Sequence, residues 1–259
     1  MDRNIRIVII IAVVLAVILS LFYHVQYSHI IKNEAHRFLI AVYGGVVSSD
    51  GFYFLPVLTF SLPFLVQLLL FADTINKDFN IAVAYIFPRK NTRTKWLLGK
   101  FKVIFIYSVY FYLLQFTVVL MLSMFFGYKF DFTKDMLVVL LLLITYVNIN
   151  SLLVMIAAIL SIRNKTSLIF SSVFAVYFAW FFLLPIIKEF PLLFQSAPFS
   201  HVLLFYHAMP ADIYNIREEV PFKSYIPLWS TILYGVLGMG LLSITSTWWF
   251  KKTSLMEGA

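Results

Sequence analysis

Polar residues gather in clusters along this chain, and between the clusters run six long stretches almost free of charge. These cover residues 7–23, 52–72, 101–126, 136–161, 167–187 and 227–250, each near or above the roughly 20 residues that carry a helix across a bilayer core. A helix closes its own backbone hydrogen bonds and is the only non-barrel structure that hydrocarbon tolerates, so the pattern predicts six membrane helices. The fold class expected is an all-α integral membrane protein. No Gly/Ser tract or low-complexity block divides the chain, so residues 1–259 read as a single six-helix domain.

The connectors are unequal. Those at 127–135 and 162–166 are short, which makes the third to fifth spans a tight up-down-up unit. The connector 24–51 holds an apolar patch from Phe38 to Val47, broken by Gly44-Gly45; it is too short to cross and is expected at the membrane interface. The segment 188–226 carries Phe190, Leu192, Leu193 and Phe194, then Val202 to Tyr206, punctuated by Pro191, Pro198 and Pro210. Apolar pieces of that length between prolines predict a partial re-entrant hairpin before the sixth span, entering one leaflet without crossing. In the connector 73–100, Asp73 opens a run through Asp78, Ile81, Tyr85 and Phe87 that stops at Pro88, a helix-ending signal, before Arg89-Lys90 and Arg93. A short surface helix followed by a basic turn can be gripped by a cytoplasmic partner or can anchor to anionic lipid.

Charge orients the spans. Of the 20 basic residues, 13 fall on the side of the N-terminus, the 73–100 connector with Lys102 just after it, the 162–166 connector and the C-terminal tail, and 7 on the other. The acidic residues lean the opposite way, so the positive-inside rule places both termini in the cytoplasm. Hydrophobic residues make up 62% of the chain and charged residues 12%, which excludes a soluble domain. The net charge of +8 is then a topology signal; no basic run with interleaved aromatics predicts nucleic-acid binding. Arg3 and Arg6 before an apolar run resemble a signal peptide. Leu21-Phe22-Tyr23-His24 offers no small-residue cleavage site, however, and an uncleaved anchor is expected.

Catalytic chemistry finds little to work with. Cysteine is absent, which removes disulfides, thiolate metal sites and thiol nucleophiles. Gly99-Lys100 is the one Gly-Lys pair, and Thr94 stands where a phosphate-binding loop needs its first glycine. The histidines form no metal-binding spacing, and His201 and His207 read as ordinary interfacial placement. Arg217-Glu218-Glu219 lies in a polar loop rather than inside a span, unlike the paired glutamates of CAAX-type membrane proteases. No enzyme activity, metal or cofactor is expected. Inside the spans the main polar residues are Gln67, Gln115, Asn148, Asn150 and Ser151. They read either as interhelical hydrogen bonds, worth about a kcal/mol or less, or as the lining of a substrate path.

With six spans, cytoplasmic ends, a short helix between spans two and three and a hairpin before span six, the chain resembles permease subunits of type-2 ABC exporters. The local match runs from Asp73 to Lys102, through Tyr85-Ile86-Phe87-Pro88-Arg89-Lys90, Thr92-Arg93 and Lys95-Trp96-Leu97-Leu98-Gly99-Lys100. Many such permeases open with an amphipathic helix of several turns; only Met1 to Arg6 precede the first span here. That is similar to the compact bacterial peptide-export and lantibiotic-immunity permeases. The resemblance implies a multi-pass bacterial plasma-membrane protein, paired with a second permease chain and separate cytoplasmic ABC ATPase subunits. It implies coupling to the ATPase through Asp78, Ile81, Tyr85, Phe87, Pro88 and Arg89. A cargo path would be lined by Phe60, Phe64, Gln67, Phe111, Gln115, Asn148 and Ser151, for an antimicrobial peptide first and a lipid-linked precursor next. A different class fits the same residues: a membrane-embedded immunity protein that sequesters a peptide without pumping it.

Overall fold

The computed structural model describes residues 3–27, 34–44, 54–81, 93–162, 164–187, 189–203 and 226–252. They form α1 (Arg3–Tyr27), α2 (Ala35–Tyr43), α3 (Phe54–Phe71), α4 (Thr74–Ile81), α5 (Arg93–Phe125) and α6 (Phe132–Leu160). These are followed by α7 (Thr166–Phe182), α8 (Leu184–Ile187), α9 (Pro191–Ser196), a 3₁₀ turn (Pro198–Val202) and α10 (Leu228–Lys252). An isolated β-bridge joins Glu34 and Lys129. Five helical stretches are long and apolar enough to cross a bilayer: Arg6–Gln26, Val57–Phe79, Thr94–Phe125, Phe132–Leu160 and Leu228–Trp248. The chain is a multi-pass membrane protein.

The fifth apolar stretch differs from expectation. It was expected unbroken over 167–187, but α7 has 17 residues, about 25 Å of helix against a hydrocarbon core of about 30 Å. Pro185 accounts for the break. It has no N–H with which to continue the hydrogen-bond ladder of α7, so α7 closes at Leu183 and α8 starts anew at Leu184.

α6 is the central post. Of its apolar stretch 72% is buried, against 11% for α10, and α2, α3, α4, α5, α7 and α10 all pack on it. α10 comes close to α6 because its facing residues are glycines. A Cβ at Gly235 would lie 2.7 Å from Asn148 Cβ, and one at Gly238 would lie 2.6 Å from Leu152 Cδ2. Small residues at such seams let two backbones approach and gain van der Waals contact, which drives association where lipid is as apolar as leucine.

The turn from α5 to α6 is closed at both ends. Gly127 takes φ +87°, with its N–H on Met124 O at 3.0 Å and the N–H of Tyr128 on Ser123 O at 3.0 Å. That is a Schellman motif, which needs a residue free of a Cβ penalty in the left-handed region. Asp131 then caps α6, its side chain accepting from the N–H groups of Thr133 (3.1 Å) and Lys134 (3.3 Å). Asp135 returns the arrangement by accepting from Asp131 N–H at 2.7 Å.

Of the patch expected at the interface, Phe38 to Gly44 is enclosed by other helices, and Gly45 to Val47 lies outside the described residues. α2 sinks into a groove between α1, α5 and α6, with Ala35 through Ile40, Val42 and Tyr43 all buried. The charged groups at its start lie beside one another and beside α6. The His36 ring lies 3.5 Å from Asp135 and 3.5 Å from Glu34, and Arg37 pairs with Glu34.

Candidate functional site

Two polar constructions stand out in an otherwise apolar bundle, one halfway along the long helices and one at the end that carries α4. In the first, Asn150 Nδ2 donates to the Tyr112 hydroxyl at 2.7 Å, and that hydroxyl donates to Gln67 Oε1 at 2.6 Å. Gln67 Nε2 donates to Ser108 Oγ at 2.7 Å, which donates to Ile104 O at 2.7 Å. The chain of bonds runs in one direction through α6, α5 and α3 and back to α5. Beside it, the Tyr43 hydroxyl donates to Gln115 Oε1 at 3.0 Å, and the Tyr146 hydroxyl donates to the Tyr43 carbonyl at 2.8 Å. Gln67, Tyr112, Gln115 and Asn150 are fully enclosed. Gln115 Nε2, Asn150 Oδ1 and Ser151 Oγ nonetheless have no partner. A buried polar group without one costs about 1–3 kcal/mol, so this interior is only half satisfied.

Aromatic rings hold the polar groups in place. Phe116 meets Tyr43 edge-on with centroids 4.8 Å apart and Tyr146 at 5.7 Å, while Phe60 lies edge-on to Tyr146 at 5.9 Å and Phe181 at 5.0 Å. Phe64 stacks on Tyr177 at 4.1 Å, and Phe111 lies 5.2 Å from Tyr112. Such pairs add about 0.5–1.5 kcal/mol beyond the area they bury.

The residues expected to line a path therefore fall into two groups. Phe60, Phe64, Gln67, Phe111, Gln115 and Ser151 all lie in the protein interior. Asn148 does not join them. Its Nδ2 donates back to Ile144 O at 2.8 Å, and its Cβ faces Gly235 across the α6–α10 seam. Reading residue types alone passed over Tyr43, Ser108, Tyr112 and Tyr146. A signal was present: Tyr112 with Gln115, and Tyr146 with Asn150, stand one helical turn apart, so each pair shares a face.

The second construction is α4. The Asp73 carboxylate accepts from Thr166 Oγ1 at 3.2 Å and Asn76 Nδ2 at 3.5 Å, and lies 3.2 Å from Lys77 Nζ. Ser161 Oγ donates to Ala72 O at 3.3 Å. Asp78 pairs with Lys100, Phe79 packs on Trp96 with centroids 6.3 Å apart, and Lys100 Nζ sits 5.8 Å over the Trp96 ring. Ile75 and Leu97 are buried beneath this layer. α4 is thus tied to α5 by Asp78, to the start of α7 by Asp73, and at its root to the end of α6. Of the expected coupling residues, Asp78 takes part in this layer and Ile81 ends α4. Tyr85, Phe87, Pro88 and Arg89 lie outside the described residues.

Near the break in the fifth stretch, His201 in the 3₁₀ turn joins Gln195 O at 2.9 Å and Thr231 Oγ1 at 2.8 Å, and stacks on Tyr234 with centroids 5.0 Å apart. It fastens that turn to α10. His207 lies outside the described residues. Among the described residues no three His, Asp or Glu side chains converge as a metal site.

Comparison of the chain with protein-family models, curated proteins and solved structures finds no match.

Proposed function

We propose that the chain is the permease subunit of an ATP-driven exporter of the type-2 ABC kind. It would carry an amphipathic or hydrophobic cargo, an antimicrobial peptide foremost, across a bacterial plasma membrane. In this reading α1, α3, α5, α6, α7 with α8, and α10 are six spans. Both termini are cytoplasmic, and residues 191–202 belong to the outer re-entrant hairpin. ATP is hydrolysed on separate cytoplasmic subunits, and a second permease chain completes the path.

The observation that carries the reading is the wiring of α4. The eight-residue α4, with Ala72 and Asp73 just before it, is tied by side chains to α5, α7 and the end of α6. A push on α4 from a closing ATPase is passed to α5 through Asp78–Lys100 and to α7 through Asp73–Thr166. The neighbouring Tyr85, Phe87 and Arg89 are residue types that dominate protein interfaces.

Asp78→Lys tests this. Both partners are partly exposed, so the pair contributes only about 0–1 kcal/mol to stability, and the variant should fold. Cargo-stimulated ATP hydrolysis is expected to fall by about tenfold or more, a loss equivalent to about 1.4 kcal/mol of coupling. Adding Lys100→Asp to the same chain should restore it. Full stimulation in Asp78→Lys would sink the coupling role. A chain that binds peptide yet never stimulates an ATPase would instead be the sequestering protein.

Orientation is checked separately. A cytoplasm-active reporter fused after Lys95 or at Ala259 should be active, and one after Lys129 silent, because basic residues favour the former side. Activity after Lys129 would overturn the orientation.

A further inference from the structure

We infer that the groove holding α2 is a binding site for an amphipathic peptide helix, and that α2 is its built-in competitor. The inference names the cargo class of the proposed exporter and rests on that reading only for what happens after binding.

The groove has the shape and chemistry of a peptide site. Nine residues of helix, about 13 Å long, fit between α1, α5 and α6. The mouth carries the Asp135 carboxylate, 3.5 Å from the His36 ring of the inserted segment, and the Lys129 carbonyl, which accepts from Ala35 N–H; Arg37 pairs with Glu34 within the segment itself. The wall is aromatic, with Phe38 lying 5.0 Å from Tyr128 and 6.1 Å from Phe126. The base is polar. There the Tyr43 hydroxyl meets Gln115, and the Tyr43 carbonyl, at the last residue of α2, accepts from Tyr146. A C-terminal carbonyl has no partner within its own helix, so Tyr146 is placed to receive the end of any helical peptide.

α2 fills this site without saturating it. Gln115 Nε2 remains unpartnered beside the Tyr43 contact, and the Tyr128 hydroxyl remains unpartnered in the wall. Polar groups buried half-satisfied weigh against the seated state. A segment of the chain's own sequence, held by contacts that leave donors open, is displaced by any peptide that brings a charged start, an aromatic flank and further acceptors at its end.

The test uses a synthetic peptide with the sequence of residues 34–43, labelled at its N-terminus, against the purified full chain in detergent. A scrambled peptide of the same composition is the control for micelle partitioning. The wild type should bind the peptide weakly, because α2 occupies the groove. Tyr43→Ala, which frees Gln115 and loosens α2, should bind it about tenfold more tightly, since apparent affinity rises with the fraction of molecules whose site is open.

A lock supplies the converse. Glu34 and Lys129 are bridge partners, with Ala35 N–H on Lys129 O at 2.9 Å, so their Cα atoms lie about 5 Å apart, within the span of a disulfide. The pair Glu34→Cys with Lys129→Cys, in a chain otherwise free of cysteine, should lose binding when oxidised and regain it on reduction. Equal binding to the oxidised and reduced forms, equal binding of the scrambled peptide, or no binding to Tyr43→Ala would each overturn the inference. Copurification of an ATPase is a separate readout. Peptide binding without it would remove the exporter reading and keep the groove, and the reverse would keep the exporter and remove the groove.

Discussion

Tyr112→Phe is expected to lower the unfolding free energy of the detergent-solubilised protein by about 1–3 kcal/mol. The variant keeps the ring against Phe116 and Tyr146 and removes only the hydroxyl between Asn150 and Gln67. Interhelical hydrogen bonds in membrane proteins average about 0.6 kcal/mol each, so losing two accounts for about 1 kcal/mol. The remainder comes from leaving Asn150 Nδ2 and Gln67 Oε1 enclosed with nothing to bond. That part should be recoverable. Adding Gln67→Leu deletes one orphan, and removing both partners of a buried bond is close to neutral, so the double variant should lie nearer wild type than the sum of the singles. Denaturant titrations of the four proteins measure this coupling. Strict additivity would mean that the two side chains do not share the bond.

Gly235→Val is expected to be the most disruptive single change on α10. The new Cβ would meet Asn148 Cβ at 2.7 Å, an atom fixed to the α6 backbone that moves only if a helix moves. Overpacking of this kind costs typically about 1–3 kcal/mol. Gly238→Ala meets the far end of Leu152, which can rotate away, and should cost less. Gly240→Ala meets nothing within 4 Å and should be neutral or stabilising, because alanine is the better helix former. The ranking, read from thermal unfolding in one detergent, is the test. A Gly240 variant as damaging as the one at Gly235 would mean that a different face of α10 is packed.

Long apolar runs made the helices legible, and charges misled at their ends. The third span was expected over 101–126, yet α5 begins at Arg93. Lys95, Lys100 and Lys102 shortened the expected span, because charge is disfavoured in hydrocarbon, but they do not interrupt a helix. α2 was harder to read. Its apolar patch is too short to cross, which spoke for the interface, and Asp135, the group beside the buried His36, stands about 100 positions away, where no local pattern reveals it. The break before Pro185 was written in the sequence, but uniform hydropathy across 167–187 concealed it. Among the site residues, Gln67 and Gln115 showed themselves as polar side chains within spans. The tyrosines did not, because α5 carries Tyr107, Tyr110 and Tyr112 within two turns and only the fold decides that Tyr112 faces inward while Tyr110 is exposed.

The α5–α6 turn has a consequence for how the protein is made. Its caps are supplied entirely from within residues 123–135, so these two helices can enter the bilayer as a finished hairpin that waits for no other segment. α2 is the reverse case. It is synthesised earlier, yet Gln115, Lys129, Asp135 and Tyr146, the groups that receive it, are all added later. Residues 35–43 must therefore wait unseated until translation has passed residue 146, and an early segment docks onto later ones.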